Sequence, residues 1–345
     1  MLKPQQAISY ARGVDLTMEP SNLALFWTAV VVGSILVYVI LDGFDLGVGV
    51  LFGTVRDEAV RVEMMNAIAP VWNGNETWLV VIGTSLFAAF PAAYAVFMGA
   101  YYIPILLLLC GLIFRGIAFE FRFRTERMRP FWDWGFFLGS TVMGFVQGAA
   151  VGAMIRGIPV SNGQYSGGVF GWLKPFAIMT GIGLVLGYAL LGAAWLVLKS
   201  EGPLREWARR RIPWLATAVL AIMLVAFVTT KHLDPHARGN LQARPWGIVF
   251  AATGILALIA VIVGSRSKRD GFPFAMTVLS FLSAFLALGT MFWPYIIPYR
   301  ITVGNAVAPD ASLSFLFYGA VVILPLIILY TARVYWAFRG KIREA

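Results

Sequence analysis

The stretch Leu25–Leu51, LFWTAVVVGSILVYVILDGFDLGVGVL, contains only two charged side chains, Asp42 and Asp45. A helix needs about 20 mostly apolar residues to cross a hydrocarbon core of about 30 Å. This run is long enough to do so, and it predicts a transmembrane helix. Its two carboxylates are the first sign of a polar site at membrane depth.

The composition of the whole chain extends this interpretation. Of its 345 residues, 59% are hydrophobic and 13% are charged, whereas a soluble domain has about 45–50% apolar and about 25% charged residues. So few charges leave too little polar surface for a water-soluble particle. The apolar runs also lack the alternation, about every second residue, of barrel strands. We therefore expect an all-α integral membrane protein.

The apolar runs predict about nine transmembrane helices in a single membrane domain, residues 1–345. Two four-helix bundles plus one extra helix would accommodate them. The weakest division lies between the second and third runs, where Phe90-Pro91 predicts a bend or a tight turn. The predicted spans are Leu25–Leu51, Thr77–Met98, Gly99–Phe119, Trp134–Ile155, Pro175–Leu198, Pro213–Thr230, Trp246–Gly264, Phe272–Ile297 and Leu313–Phe338.

The basic residues lie between the apolar runs and predict the orientation of the chain. With the N-terminus outside, 19 of the 27 Lys and Arg residues fall in cytoplasmic segments and 8 fall outside. Cytoplasmic loops of membrane proteins carry such an excess. The net charge of +10 therefore indicates membrane topology, and no nucleic-acid partner is expected.

Asp42 and Asp45 are three residues apart, which places them on one face of a helix. Charged groups within a membrane cost about 2.5–3.5 kcal/mol by insertion scales and usually line a polar path or pair with a cation. The neighbouring glycines permit close helix contact. The alternative is that both carboxylates lie at the helix end, near water.

Two further polar segments flank the second and third runs. Ala69–Trp78, APVWNGNETW, precedes the second run, and Phe114–Arg122, FRGIAFEFR, ends the third. Helix capping together with interfacial tryptophan would account for much of the first segment. In the predicted topology, however, these segments and the Asp pair share the cytoplasmic level of the membrane. We therefore predict a proton path there, with the candidates Asp42, Asp45, Asn73, Glu76, Arg115 and Glu120.

The histidines argue against a haem site in this chain. Haem iron takes an axial His, with Met or Cys as the other common ligands. The only histidines are His232 and His236, in a polar segment predicted to lie outside the membrane. Met143 and Met179 lie within predicted spans, where methionine is mostly a packing residue. We expect no metal site and no ligated cofactor in this chain.

Several motifs resemble subunit II of cytochrome bd quinol oxidases, in matching order along nearly the whole chain. They include LDGFDLGVG, APVWNGNETWL with LFAAFPAAYA, and FRGIAFEFR. WDWGFFLGS at 132–140 and LPLIILYTARVYW at 324–336 complete the set. The GNETW form and the short mid-chain loops are closer to the cyanide-insensitive branch.

This resemblance implies the haem-free second subunit of a quinol:dioxygen oxidoreductase in the bacterial cytoplasmic membrane. Its partner would be subunit I, which carries haem b and haem d (or b) and the membrane quinol site. A small third subunit is a further expected partner. In the family, the first Asp-containing motif and the Trp-Asp-Gly-Asn motif are associated with proton transfer and bound quinone. Those roles carry over to Asp42, Asp45, Trp72 and Asn75.

One position departs from the family pattern, which usually has Asp where this chain has Asn73. An amide cannot carry a proton at neutral pH, so a relay at residue 73 is in doubt. Glu76 is a candidate replacement, because residues three apart share a helix face.

Two other classes of function fit the same composition. An ion-coupled secondary transporter also uses intramembrane carboxylates and glycine-interrupted helices. A non-catalytic membrane scaffold would use its polar clusters for packing alone.

The orientation is open to a direct test. Reporter fusions after Thr125 and after Lys268 should both report the cytoplasm, because the excess of basic residues holds those segments inside. A periplasmic signal from either fusion would overturn the orientation.

Overall fold

The computed structural model describes residues 19–233, 239, 243–265 and 269–342, with side chains up to residue 230 in the first of these ranges. The side chains of His232 and His236 lie outside this part of the chain. The fold is all-α, as predicted, with two short antiparallel hairpins. These pair Val160–Ser161 (β1) with Gln164–Tyr165 (β2), and Tyr295–Ile297 (β3) with Ile301–Thr302 (β4).

The helices follow the predicted order. They are α1 Asn22–Phe52, α2 Glu58–Asn66, α3 Trp72–Ala89, α4 Pro91–Ala100, α5 Tyr102–Phe121, α6 Arg129–Ile155, α7 Pro175–Lys199, α8 Gly202–Leu233, α9 Ile248–Gly264, α10 Gly271–Phe292, α11 Val303–Ala306 and α12 Asp310–Ala337. A 3₁₀ turn, Pro245–Gly247, precedes α9.

Within the described residues, eight helices are long and apolar enough to cross a membrane. The predicted span Thr77–Met98 differs, because it is divided between α3 and α4. The break falls at Phe90, since the residue before a proline is disfavoured in helical geometry. At about 1.5 Å per residue α3 is about 27 Å long, close to the thickness of the hydrocarbon core.

Two other predicted boundaries are also wrong. The predicted span Phe272–Ile297 ends as a helix at Phe292, before Trp293-Pro294, and its last residues form β3. The predicted span Pro213–Thr230 begins earlier, at Gly202, because the Arg-rich segment before Pro213 is also helical. Proline is compatible with a continuing helix where neighbouring groups satisfy the freed carbonyl.

The helices pack as two groups joined at the centre. In one group α1 packs against α3 and α6, and α5 packs against α6. In the other group α8 packs against α7 and α9, and α10 packs against α7 and α9. Contacts of α7 with α1 and α6 join the groups, and α12 packs on α1 and α3. The inner half of α1 is therefore enclosed, and every residue from Asp42 to Gly49 is buried.

Two glycines set the spacing between α1 and α7. A Cβ on Gly47 would overlap the backbone carbonyl of Tyr188, and one on Gly192 would overlap the backbone of Gly47. Small residues permit this close approach of backbones in membrane proteins. Next to this contact, Phe44 stacks on Trp195 with ring centroids 4.0 Å apart.

We expect Gly47→Ala to destabilise the protein by about 1–3 kcal/mol, because the added methyl group must push α1 away from α7. Denaturant titration of the purified protein in detergent measures this change in the free energy of unfolding. Gly33→Ala is the matched control on the same helix, since a Cβ at Gly33 meets nothing within 4 Å. Equal stability of the two variants would contradict the close contact.

Candidate functional site

Arg115 is the centre of the polar site. It lies on α5 with 1% of its side chain exposed, and its Nη1 donates to Asp42 Oδ1 (3.0 Å) and to Glu76 Oε1 (2.9 Å). One guanidinium thus joins a carboxylate of α1 to a carboxylate of α3. Both are contacts between elements distant in sequence, so the ion pairs fix how three helices meet.

Asp45 forms the second half of the site through Asn75. The amide Nδ2 of Asn75 donates to Asp45 Oδ2 (2.7 Å) and to the backbone oxygen of Leu41 (3.2 Å). The hydroxyl of Tyr335, on α12, donates to Asn75 Oδ1 at 2.9 Å. Asn75 therefore links α3 to both α1 and α12.

Burial decides between the two interpretations of the Asp pair. Asp42 and Asp45 are both 0% exposed, and α1 continues past them to Phe52. They are therefore enclosed between helices instead of lying at a solvated helix end. Asp42 Oδ2 and Asp45 Oδ1 are buried without a hydrogen-bond partner among the described residues. Such atoms call for an explanation, because buried polar atoms are normally paired.

A chain of polar side chains leads from Asp42 on α1 to α6 and α7. Tyr38 lies one helical turn before Asp42 and interacts with it. Gln147 Nε2 donates to the Tyr38 hydroxyl (3.2 Å), and the Tyr188 hydroxyl donates to Gln147 Oε1 (2.7 Å). These three residues connect α1, α6 and α7 by groups that both donate and accept hydrogen bonds.

The charges of the site are unbalanced. Arg115 interacts electrostatically with Asp42, Asp45 and Glu76, so one positive group faces three acidic groups. Uptake of a proton by one of the three carboxylates would reduce the negative charge of the site. An arrangement of this kind can hold and release a proton.

The remaining predicted site residues lie at the margin. Asn73 and Glu120 are exposed, and the structure does not bring them to Arg115. Asn73 is thus separated from the ion pair of Glu76, although the two residues are three apart. Trp72, the first residue of α3, is half-buried against α5, with its ring centroid 5.0 Å from that of Phe119. Glu76 does not cap α3, which has no side-chain cap.

A second ionic cluster, not predicted from the sequence, lies beyond the end of α1. Arg122, 1% exposed, donates to Asp133 (2.5 Å) and to both carboxylate oxygens of Glu58. Arg61 donates to the other oxygen of Asp133 at 2.7 Å. Phe52 lies beneath both guanidinium groups. The cluster ties α2 to the connection between α5 and α6.

Signals for the residues that sequence reasoning missed were present in the quoted motifs. Asp133 is the acid of WDWG, Arg122 ends FRGIAFEFR, and Tyr335 lies in LPLIILYTARVYW. Spacing alone does not show which of the many interfacial aromatic and basic residues turn inward.

The structure also places residues of the types that can ligate a metal or a haem. Among the described residues, no group of three or more His, Cys, Asp or Glu residues has metal-binding proximity. Met143 is buried against Leu46 and Tyr188, where packing accounts for it. Cys110 is exposed on α5.

Comparison with known proteins matches the chain to one family and to two relatives of similar length. The family model for cytochrome bd terminal oxidase subunit II matches residues 23–338. The cytochrome bd-I ubiquinol oxidase subunit 2 of Escherichia coli K12 is 29% identical over 362 residues, covering 93% of this chain and 96% of the relative. The cytochrome bd ubiquinol oxidase subunit 2 of Bacillus subtilis 168 is 29% identical over 336 residues, covering 93% and 97%.

A solved structure agrees at the level of the fold. The chain is similar to a chain of the bd oxidase from Geobacillus thermodenitrificans with a TM-score of 0.77 and 18% identity, covering 92% of this chain and 99% of that one. The family match spans all the helices that form the polar site. The chain belongs to the cytochrome bd terminal oxidase subunit II family.

Proposed function

We propose that the chain is the haem-free second subunit of a bd-type quinol:dioxygen oxidoreductase and that its Arg115 site lies on a cytoplasmic proton path. The family match supports the first part, and a transporter or a bare scaffold has no comparable support. The observation that carries the second part is that the buried Asp42 and Asp45 and the partly buried Glu76 gather near one buried guanidinium.

The reaction of such an oxidase explains why a proton path is needed. Reduction of dioxygen to water consumes protons, and the haems of the complex supply the electron-transfer chemistry. The lack of histidine in the predicted spans supports placing all haems on the partner, subunit I. This chain would then contribute protein groups that hold and move protons.

Each member of the site has a role in this proposal. Asp45 takes up the proton, and Asn75 holds its carboxylate in place. Arg115 stabilises the ionised forms of Asp42 and Glu76 between the helices. Tyr38 extends the proton path beyond Asp42, because its hydroxyl can both donate and accept a hydrogen bond. Asn73 on α3 and Glu120 on α5 are exposed, so their role in the path would be peripheral.

A bound quinone and a small third subunit are two further predicted partners. A quinone would contact Trp72, whose half-buried ring beside Phe119 offers an aromatic face. Asn75 could join it only by giving up a hydrogen bond to Asp45 or Tyr335. A small third subunit would add to the heterodimer with subunit I.

We expect Asp45→Asn to lower quinol oxidase turnover about tenfold or more, because lost proton transfer costs about 10²–10⁴ in rate where it is limiting. The helix and the hydrogen bond from Asn75 can persist, so the complex should assemble with its normal haem spectrum. Oxygen consumption by the purified complex measures the effect.

Asp57→Asn is the matched control for this variant. Asp57 is an exposed N-cap of α2 that accepts from the backbone of Ala59, and asparagine caps equally well. Normal turnover in Asp45→Asn would remove Asp45 from the proton path.

A second expectation concerns stability. Arg115→Leu should destabilise the complex by about 3–5 kcal/mol, because it leaves buried carboxylates without their counter-charge. Denaturant titration of the complex measures the loss, and the exposed Arg124→Leu on the same segment is the control. If both variants unfold alike, Arg115 does not hold the helices together.

A further inference from the structure

A cavity of about 320 Å³ lies where α7 and α12 end, on the side that the basic residues predict to be cytoplasmic. The link between α2 and α3 forms one wall, and the chain after α12 forms another. Its polar lining includes Asn66, Lys199 and Tyr335. A space of this size with polar groups can hold several water molecules, each of which takes about 30 Å³ in liquid.

The wall formed by the chain after α12 is firmly held. Lys199 Nζ donates to the backbone oxygens of Phe338 (2.5 Å) and Gly340 (3.2 Å), and the backbone N–H of Ile342 donates back to Lys199 at 2.8 Å. Lys341 donates to Asp270 at 2.8 Å. These bonds fix residues 338–342 across the end of α7, so the cavity is a built feature of the fold.

Asp270 stays charged in this arrangement. Burial works to raise the pKa of Asp270, but hydrogen bonds from Arg205 and Lys341 outweigh it and lower that pKa to about 2. The anchor of the terminal segment is therefore an ion pair throughout the physiological pH range.

Tyr335 separates the cavity from the buried carboxylates. Its ring packs edge-on against Phe44 and Trp195, at centroid distances of 6.4 Å and 6.2 Å. Its hydroxyl donates to Asn75, which in turn donates to Asp45. The hydroxyl thus connects this aromatic wall through Asn75 to Asp45, whose Oδ1 has no hydrogen-bond partner among the described residues.

We propose that this cavity is the cytoplasmic vestibule from which protons reach Asp45, and that Tyr335 is the positioning residue that carries the water path through the aromatic wall. The proposal rests on the proton path proposed above. A hydroxyl both accepts and donates, so it can hold water on the cavity side while it fixes Asn75 on the other. A proton from the cytoplasmic solution moves along water to the Asp45 carboxylate, and each water molecule that passes a proton on receives another from the cytoplasmic side. The Asn75 amide holds the carboxylate and transfers nothing.

Two variants test the vestibule in the intact complex. Tyr335→Phe keeps the aromatic packing and removes the hydroxyl. Ala337→Trp fills the cavity, because Ala337 is one of its lining residues. The matched controls on the same helix are Tyr330→Phe and Ala332→Trp, at exposed positions that do not line the cavity.

The measurement is proton uptake when the fully reduced complex is mixed with dioxygen, followed with a pH-indicating dye beside the haem absorbance. We expect Tyr335→Phe and Ala337→Trp to slow proton uptake about tenfold, with unchanged haem content. Both controls should match the wild type. A purely structural role for Tyr335 would shift the unfolding midpoint and leave the uptake rate alone.

The outcome for Asp45→Asn separates the two proposals. If Asp45→Asn slows proton uptake while Tyr335→Phe and Ala337→Trp do not, protons reach Asp45 by another route and the vestibule is wrong. If Asp45→Asn also takes up protons at the wild-type rate, the proton path through this chain fails, and the vestibule fails with it.

Discussion

Burying charge inside a membrane-spanning bundle is costly unless the charge is paired, and this constraint governs the centre of the molecule. Arg115 lies between the carboxylates of Asp42 and Glu76, so α5, α1 and α3 must meet at one level. The close contact of α1 with α7 at Gly47 then encloses the same turn of α1 from its other side. The ion pairs and the glycine contact therefore depend on each other.

Several ionic networks lie towards the same end of the helix bundle. The Arg122–Asp133 cluster ties α2 to the connection between α5 and α6, and Asp270 and Lys199 hold the terminal segment against α7 and α8. The Arg115 site is a third polar network, and it joins α1, α3 and α5.

The sequence was sufficient for the class of fold and the order of the helices, and it singled out four residues that the structure brings together. Asp42, Asp45, Glu76 and Arg115 stood out because charge is rare in apolar runs. The sequence could not show which of Asn73 and Asn75 belongs to the site, because both are amides in the same short polar segment. Only the packing of the helices shows that Asn75 turns inward. Tyr335 was missed for a related reason: tyrosine is common at membrane interfaces, and its partner Asn75 is 260 residues away.

The central claim is that this chain serves as the haem-free subunit of a bd-type oxidase. The most direct test is to purify the chain by an affinity tag from its native membranes, record a reduced-minus-oxidised spectrum of the complex, and then measure haem on each separated subunit. We expect haem bands in a complex that oxidises quinol, with all the haem on the copurifying partner. A chain that purifies without a haem protein, or that itself retains stoichiometric haem, would contradict it.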